Sequence, residues 1–127
     1  MRSRSGRASR IWVIPMKRGE VHWVIFGQPD KRRPAVVLTR NSAIGYLSTV
    51  TVAPITTTIR PTPSAVRLGP EDGLPEECSA NLHNIQTVAQ TAVGALIAVL
   101  TESRMAQVES ALLFALSLDR YTRSREG

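Results

Sequence analysis

Apolar and β-branched residues come in short runs separated by turn residues, and only near the end of the chain does their spacing lengthen to that of a helix. Glu20 to Phe26 is the first run, apolar at most positions, which predicts a strand covered on both faces. Arg32-Arg33-Pro34-Ala35-Val36-Val37-Leu38 is the second. Thr49 to Ile55 is the third, alternating Thr and Val as a half-buried strand does. Gly27-Gln28-Pro29-Asp30 and Gly69-Pro70-Glu71-Asp72-Gly73 carry turn chemistry, and Asn41 to Tyr46 predicts a loop or one short turn. Pro61 and Pro63 make Ile59 onward an irregular edge leading to a short strand at Ala65-Val66-Arg67-Leu68. Leu82 to Val88 and Ala95 to Leu100 supply the last strands. Thr101 then suits an N-cap and Glu102 the positive end of a helix. Met105, Val108, Leu112, Ala115 and Leu116 mark its apolar face. Several short strands and one C-terminal helix define an α+β, mainly β class.

The second and third runs hold the most suggestive pair of polar groups. Arg33 precedes a proline, which pushes its backbone to an extended conformation, so its guanidinium is presented from a strand start. Thr56 follows Pro54-Ile55 where the third strand ends, since proline has no further ladder donor to give. An arginine and a hydroxyl at neighbouring strand ends make a small, rigid anion site. From the residues alone two readings stand side by side: catalysis at a phosphate, or an ion pair at Arg33 and a turn cap at Thr56.

Charge changes the picture less than its total implies. The chain of 127 residues carries a formal net charge of +6, which points to a polyanionic partner. Residues 1–15 hold Arg2, Arg4, Arg7 and Arg10 with no acid, and residues 119–127 add Arg120, Arg123 and Arg125 against Asp119 and Glu126. Residues 16–118 hold nine Lys/Arg and eight Asp/Glu, so the expected folded domain is nearly neutral. The organisation expected is a basic, disordered tail over 1–15, one domain over 16–118 and a flexible tail over 119–127.

The single cysteine, Cys78, excludes an intrachain disulfide and fits a reducing compartment. It reads as a structural thiol rather than a nucleophile. The longest apolar run, Ala92 to Leu100, is far shorter than the ~20 residues that span a bilayer. Ile11 to Ile14 is too short for a signal-peptide core. A cytoplasmic protein without a membrane partner is expected. His22 and His83 lie far apart, no carboxylate pattern fits metal-ligand spacing, and no phosphate-cradling glycine loop or Ser-His-Asp signature appears. No metal and no cofactor is expected.

Four segments in order, Met16-Lys17-Arg18-Gly19-Glu20-Val21, Arg33-Pro34-Ala35-Val36-Val37-Leu38, Val52-Ala53-Pro54-Ile55-Thr56 and Asn84-Ile85-Gln86-Thr87-Val88, are similar to the MazF/PemK family. Its members are toxin endoribonucleases of bacterial toxin–antitoxin pairs. Each segment alone is weak; four at compatible spacing, covering about residues 16 to 118, are strong. The resemblance implies a small, strongly curved antiparallel sheet or SH3-like barrel with a C-terminal helix. It also implies a homodimer, a cognate antitoxin and single-stranded RNA as substrate. It carries a catalytic role to Arg33 and Thr56, and an RNA-binding role is expected for Arg18, Lys31, Arg32, Thr57, Asn84 and Gln86.

The implied chemistry uses the RNA 2′-hydroxyl as an internal nucleophile, with a guanidinium stabilising charge on the phosphate. Arginine is a poor general base and threonine a weak acid, so Glu20, His22 and His83 are the candidates for further proton transfer. Departures from the family concern binding: the loop before Arg33 is short, His22 stands where relatives often carry an aromatic, and Asn84 and Gln86 replace a frequent Gln and Arg. Two other readings are a toxin of related fold that binds DNA gyrase, and a degenerate RNA- or antitoxin-binding module.

Overall fold

The computed structural model describes residues 13–27 and 31–120; most of the expected N-terminal tail, part of the turn at 27–30 and most of the C-terminal tail lie outside the described residues. Seven strands form one antiparallel sheet: β1 (Glu20–Ile25), β2 (Arg32–Val37), β3 (Thr49–Thr56), β4 (Ala65–Leu68), β5 (Cys78–Asn81), β6 (Gln86–Ala89) and β7 (Val93–Val99). Helix α1 (Asn41–Ile44) is one short turn between β2 and β3, and α2 (Glu102–Ala115) closes the chain. The strand order is β4-β5-β3-β2-β1-β7, with β6 also paired to β3. The sheet curves without a β4–β7 pairing, so the barrel expected from the resemblance is an open one.

β3 organises this topology. One edge pairs with β2, through Ala35 opposite Pro54 and Val37 opposite Val52. The other edge is shared: its first half takes β6, through Thr49 opposite Ala89 to Val52 opposite Gln86, and its last two residues take β5, Ile55 opposite Ala80 and Thr56 opposite Ser79. Pro54 stands at the change of partner, where it can give no amide hydrogen to the ladder.

Alternation along the strands splits the apolar residues into two cores. Val21, Val36, Ala53, Ile55, Leu68 and Leu82 pack beneath Met105, Val108 and Ala111 of α2. Val24, Ala35, Val37, Val50 and Val52 form the second cluster on the opposite face, with Phe26 and Val88 against it. The helix begins as its sequence predicts: the Arg104 amide donates to Thr101 Oγ1 at 3.1 Å. Gly19 holds φ at +94°, conformational territory that favours glycine. Its amide donates to the Val37 carbonyl at 2.9 Å and its carbonyl accepts from Leu100 at 3.0 Å, tying β1, β2 and β7 together.

Two stretches differ from the expectation. Leu82 to Val88 is not one strand: Leu82–Asn84 is a 3-10 turn and the strand starts at Gln86. Cys78–Asn81, a segment without β-branched residues, is a strand because β3 and β4 pair with it from both sides. The helix face shifts slightly: Ala111 is buried, while Leu116 lies at the C-cap and is half exposed.

Candidate functional site

A groove of about 530 Å³ opens on the sheet face that carries the second core, at the end where β2 starts and β3 stops. Continuing the β2–β3 register two residues past Ala35 and Pro54 leads to Arg33 and Thr56, and both line this groove. They share a face with Ala35, Val37, Val52 and Pro54 because side chains two apart on a strand point the same way. Lys31 and Phe26 extend the groove on the β1–β2 side, where the Phe26 amide donates to the Lys31 carbonyl at 2.8 Å. Asn81, His83, Asn84, Ile85 and Gln86 form the opposite wall.

Arg33 is exposed and forms no ion pair or side-chain hydrogen bond among the described residues. Arg67 of β4 and Arg104 of α2 contrast with it. Arg67 meets Glu77, and Arg104 meets Asp72 at 2.8 Å and Glu71 at 3.2 Å. Thr56 Oγ1 accepts the Thr58 amide at 3.2 Å, which orients the oxygen and leaves the hydroxyl hydrogen to be donated outward. Thr56 therefore caps a turn and faces the groove at once.

The structure sorts the other expected binding residues. Lys31, Asn84 and Gln86 line the groove with Arg33 and Thr56. Asn84 and Gln86 share it although Asn84 belongs to the 3-10 turn and not, as the sequence suggested, to a strand. Arg32 does not: one residue from Arg33, it takes the other face and lies 5.3 Å from the Trp23 ring centroid, a cation–π geometry. Arg18 is elsewhere too. Its guanidinium donates to the Leu38 carbonyl at 3.0 Å and to Glu109 of α2 at 3.0 Å, tying the chain before β1 to the helix. Thr57 is exposed beyond the end of β3 and is not a lining residue.

Of the three candidates for proton transfer, only His83 reaches the groove. His22 is buried, with Nδ1 2.8 Å from the Gly94 carbonyl and Nε2 2.9 Å from Glu20 Oε1. Glu20 Oε1 also accepts the Lys17 amide. This pair fills the irregular β1–β7 register around His22 and serves structure. The sequence offers His83 as one of three candidates without separating it from the other two, because a residue inside an apparent strand has no assigned face until the 3-10 turn is known.

Among the described residues no cluster of three or more His, Cys, Asp or Glu is placed to hold a metal ion, and no helix is long and apolar enough to cross a membrane. Cys78 is buried beside the acidic stretch of Glu71, Asp72, Glu76 and Glu77; burial first, and those carboxylates second, push its thiol up from 9.0 to about 11. It is a protonated core group, not a nucleophile.

A curved antiparallel sheet thus gathers an uncompensated arginine, a lysine and several amides in one groove, groups whose chemistry suits a phosphate-bearing polymer. Residues 17–116 match the model of the PemK-like, MazF-like toxins of type II toxin–antitoxin systems, and the chain belongs to that family. It is 38% identical over 104 residues to the probable endoribonuclease MazF5 of Mycobacterium tuberculosis, covering 81% of this chain and 94% of the relative. The endoribonuclease MazF3 of the same species is 36% identical over 92 residues, covering 72% and 89%. Among solved structures, the M. tuberculosis toxin MazF-mt6 superposes with a TM-score of 0.72 at 32% identity, covering 78% of this chain and 97% of the other. A mycobacterial endoribonuclease in complex with its cognate antitoxin gives 0.73 at 28%, covering 82% and 97%.

Proposed function

We propose that this groove is the catalytic site of an endoribonuclease toxin that cleaves single-stranded RNA and is inhibited by a cognate antitoxin. The observation that carries the reading is Arg33, a guanidinium without an ion-pair partner among the described residues, lining with Thr56 of the neighbouring strand a groove that Lys31, Asn84 and Gln86 also line. The names of two relatives, the probable endoribonuclease MazF5 and the endoribonuclease MazF3, support the same reading.

The scissile phosphate sits against Arg33. Its guanidinium offers paired donors that match two phosphate oxygens at once. Thr56 donates a further hydrogen bond as negative charge grows on the phosphate oxygens. The nucleophile is the adjacent 2′-hydroxyl, held close by the substrate's own covalent structure. Attack on phosphorus expels the 5′-oxygen and leaves a 2′,3′-cyclic phosphate. No metal is assigned a part in these steps. Lys31 adds attraction for the strand, while Asn84 and Gln86 offer amides to base edges.

The working unit is a homodimer in the cytoplasm, and the antitoxin lays an acidic, partly apolar segment over the same groove. The reading is tested by incubating the purified protein with RNA in EDTA and identifying the ends. A 5′-hydroxyl and a 2′,3′-cyclic phosphate are expected, with no cutting where the scissile ribose is 2′-deoxy. Strict magnesium dependence, or cutting of the deoxy substrate, overturns the mechanism.

A further inference from the structure

Arg33 and Thr56 leave one step without an agent: nothing in that pair readily takes the proton of the attacking 2′-hydroxyl. The groove wall holds one group suited to it. Besides His83, the described lining residues are two cations, three amides, a hydroxyl and apolar side chains, with no carboxylate among them. Imidazole is then the one side chain in the groove whose ordinary chemistry includes accepting a proton near neutrality.

His83 is also held in place. Its Nδ1 is 2.7 Å from Ser64 Oγ. Ser64 is buried, 6% exposed, so the contact comes from within the protein rather than from a mobile surface group. Ser64 Oγ in turn lies 3.2 Å from Thr62 Oγ1, which also takes the Ser64 amide at 3.5 Å. One assignment satisfies the row: Nδ1–H donates to Ser64 Oγ, the Ser64 hydroxyl donates to Thr62 Oγ1, and Nε2 keeps its lone pair. Among the described residues Nε2 has no hydrogen-bond partner. A hydroxyl on Nδ1 can accept from the ring in its neutral and its charged form alike. Protonation at Nε2 therefore requires no rearrangement of the support.

We propose, resting on the reading of this groove as the RNA-cleaving site, that His83 is its general base, with Ser64 and Thr62 as positioning residues. As the 2′-oxygen forms its bond to phosphorus, its proton passes to Nε2 and the ring becomes imidazolium. The P–O5′ bond breaks and its electron pair stays on the 5′-oxygen, which takes a proton from water. The imidazolium returns its proton to the hydroxide so formed, and the enzyme is restored.

The test compares wild type, His83→Ala, His83→Gln and Arg33→Ala in single-turnover cleavage, with binding measured on an RNA carrying a 2′-deoxy scissile ribose. Loss of a general base typically costs ~10²–10⁴ in rate, and both His83 variants are expected to fall in that range while binding the deoxy RNA as wild type does. Added imidazole should restore part of the rate to His83→Ala and none to Arg33→Ala. A 5′-thiolate leaving group, which removes the need for an acid, should not rescue either His83 variant. Wild-type rates in the His83 variants, with Arg33→Ala inactive, overturn this inference and leave the site reading intact. A loss that imidazole does not relieve, or one that the thiolate does, also overturns it. An active Arg33→Ala would instead sink the site reading itself.

Discussion

Arg33 and Thr56 stand at the same level of neighbouring antiparallel strands, two residues beyond the Ala35–Pro54 pair, and line one groove. Each owes its position to a proline one or two residues away, and each is followed or preceded by fully buried β-strand residues. The pair is thus carried on rigid elements, which suits a site that must present donors to a phosphate without moving them.

Strand alternation divides the basic run Lys31-Arg32-Arg33 between two faces, and RNA binding should report the division. Lys31→Ala is expected to weaken binding of a 2′-deoxy-blocked RNA and to reduce the salt slope by about 0.7, the value for one phosphate contact on a single strand. Arg32→Ala should leave affinity and slope unchanged, since Arg32 lies over Trp23. Fluorescence anisotropy across a salt series decides it; equal losses from the two variants would contradict the placement.

If antitoxin and RNA use the same groove, they should exclude each other. Titrating the cognate antitoxin into toxin bound to blocked RNA is expected to release the RNA, and Lys31→Ala should weaken both partners. A ternary complex that keeps both affinities would place the antitoxin elsewhere.

Much of this fold was legible in the chain. β1, β2, β3, β4 and α2 follow from short apolar runs, prolines and the Thr101 cap, because their local preferences agree with their tertiary use. β5 was not legible: Cys78-Ser79-Ala80-Asn81 has little strand propensity and is extended only because β3 and β4 pair with it. The candidate site was half legible. Prolines mark where Arg33 and Thr56 sit, but the fate of Arg18 depends on Glu109, distant in sequence on α2. The separation of Arg32 from Arg33 could have been read from period-two alternation. The place of His83 could not, because the turn that sets it looks like strand.

Gln90 is a buried polar residue whose Nε2 lies 2.9, 2.9 and 3.0 Å from the carbonyls of Ile44, Leu47 and Thr49. It stitches the α1–β3 connection to the turn after β6. Gln90→Leu leaves these acceptors without their donor, at ~1–3 kcal/mol for a buried group stranded in this way. A lower urea midpoint with an unchanged m-value is expected; an unaltered midpoint would mean that water replaces the amide.

Cys78 links stability to alkaline pH. Its folded pKa is raised, from 9.0 to about 11, so the folded state holds the thiol proton where the unfolded chain has lost it. The stabilising contribution is full below pH 9 and is lost as pH rises through about 11. Urea midpoints of wild type should therefore fall more steeply over that window than those of Cys78→Ala. Parallel pH curves would show that the burial does not act on the thiol.

The most direct test of the account is single-turnover cleavage of RNA in EDTA by wild type, Arg33→Ala and Thr56→Ala, each checked by circular dichroism. Removing one donor to the developing phosphate charge typically costs ~10²–10³ in rate. Both variants are expected to lose at least that much while keeping the wild-type spectrum. Cleavage near the wild-type rate by both folded variants would contradict the assignment of this groove as the catalytic site.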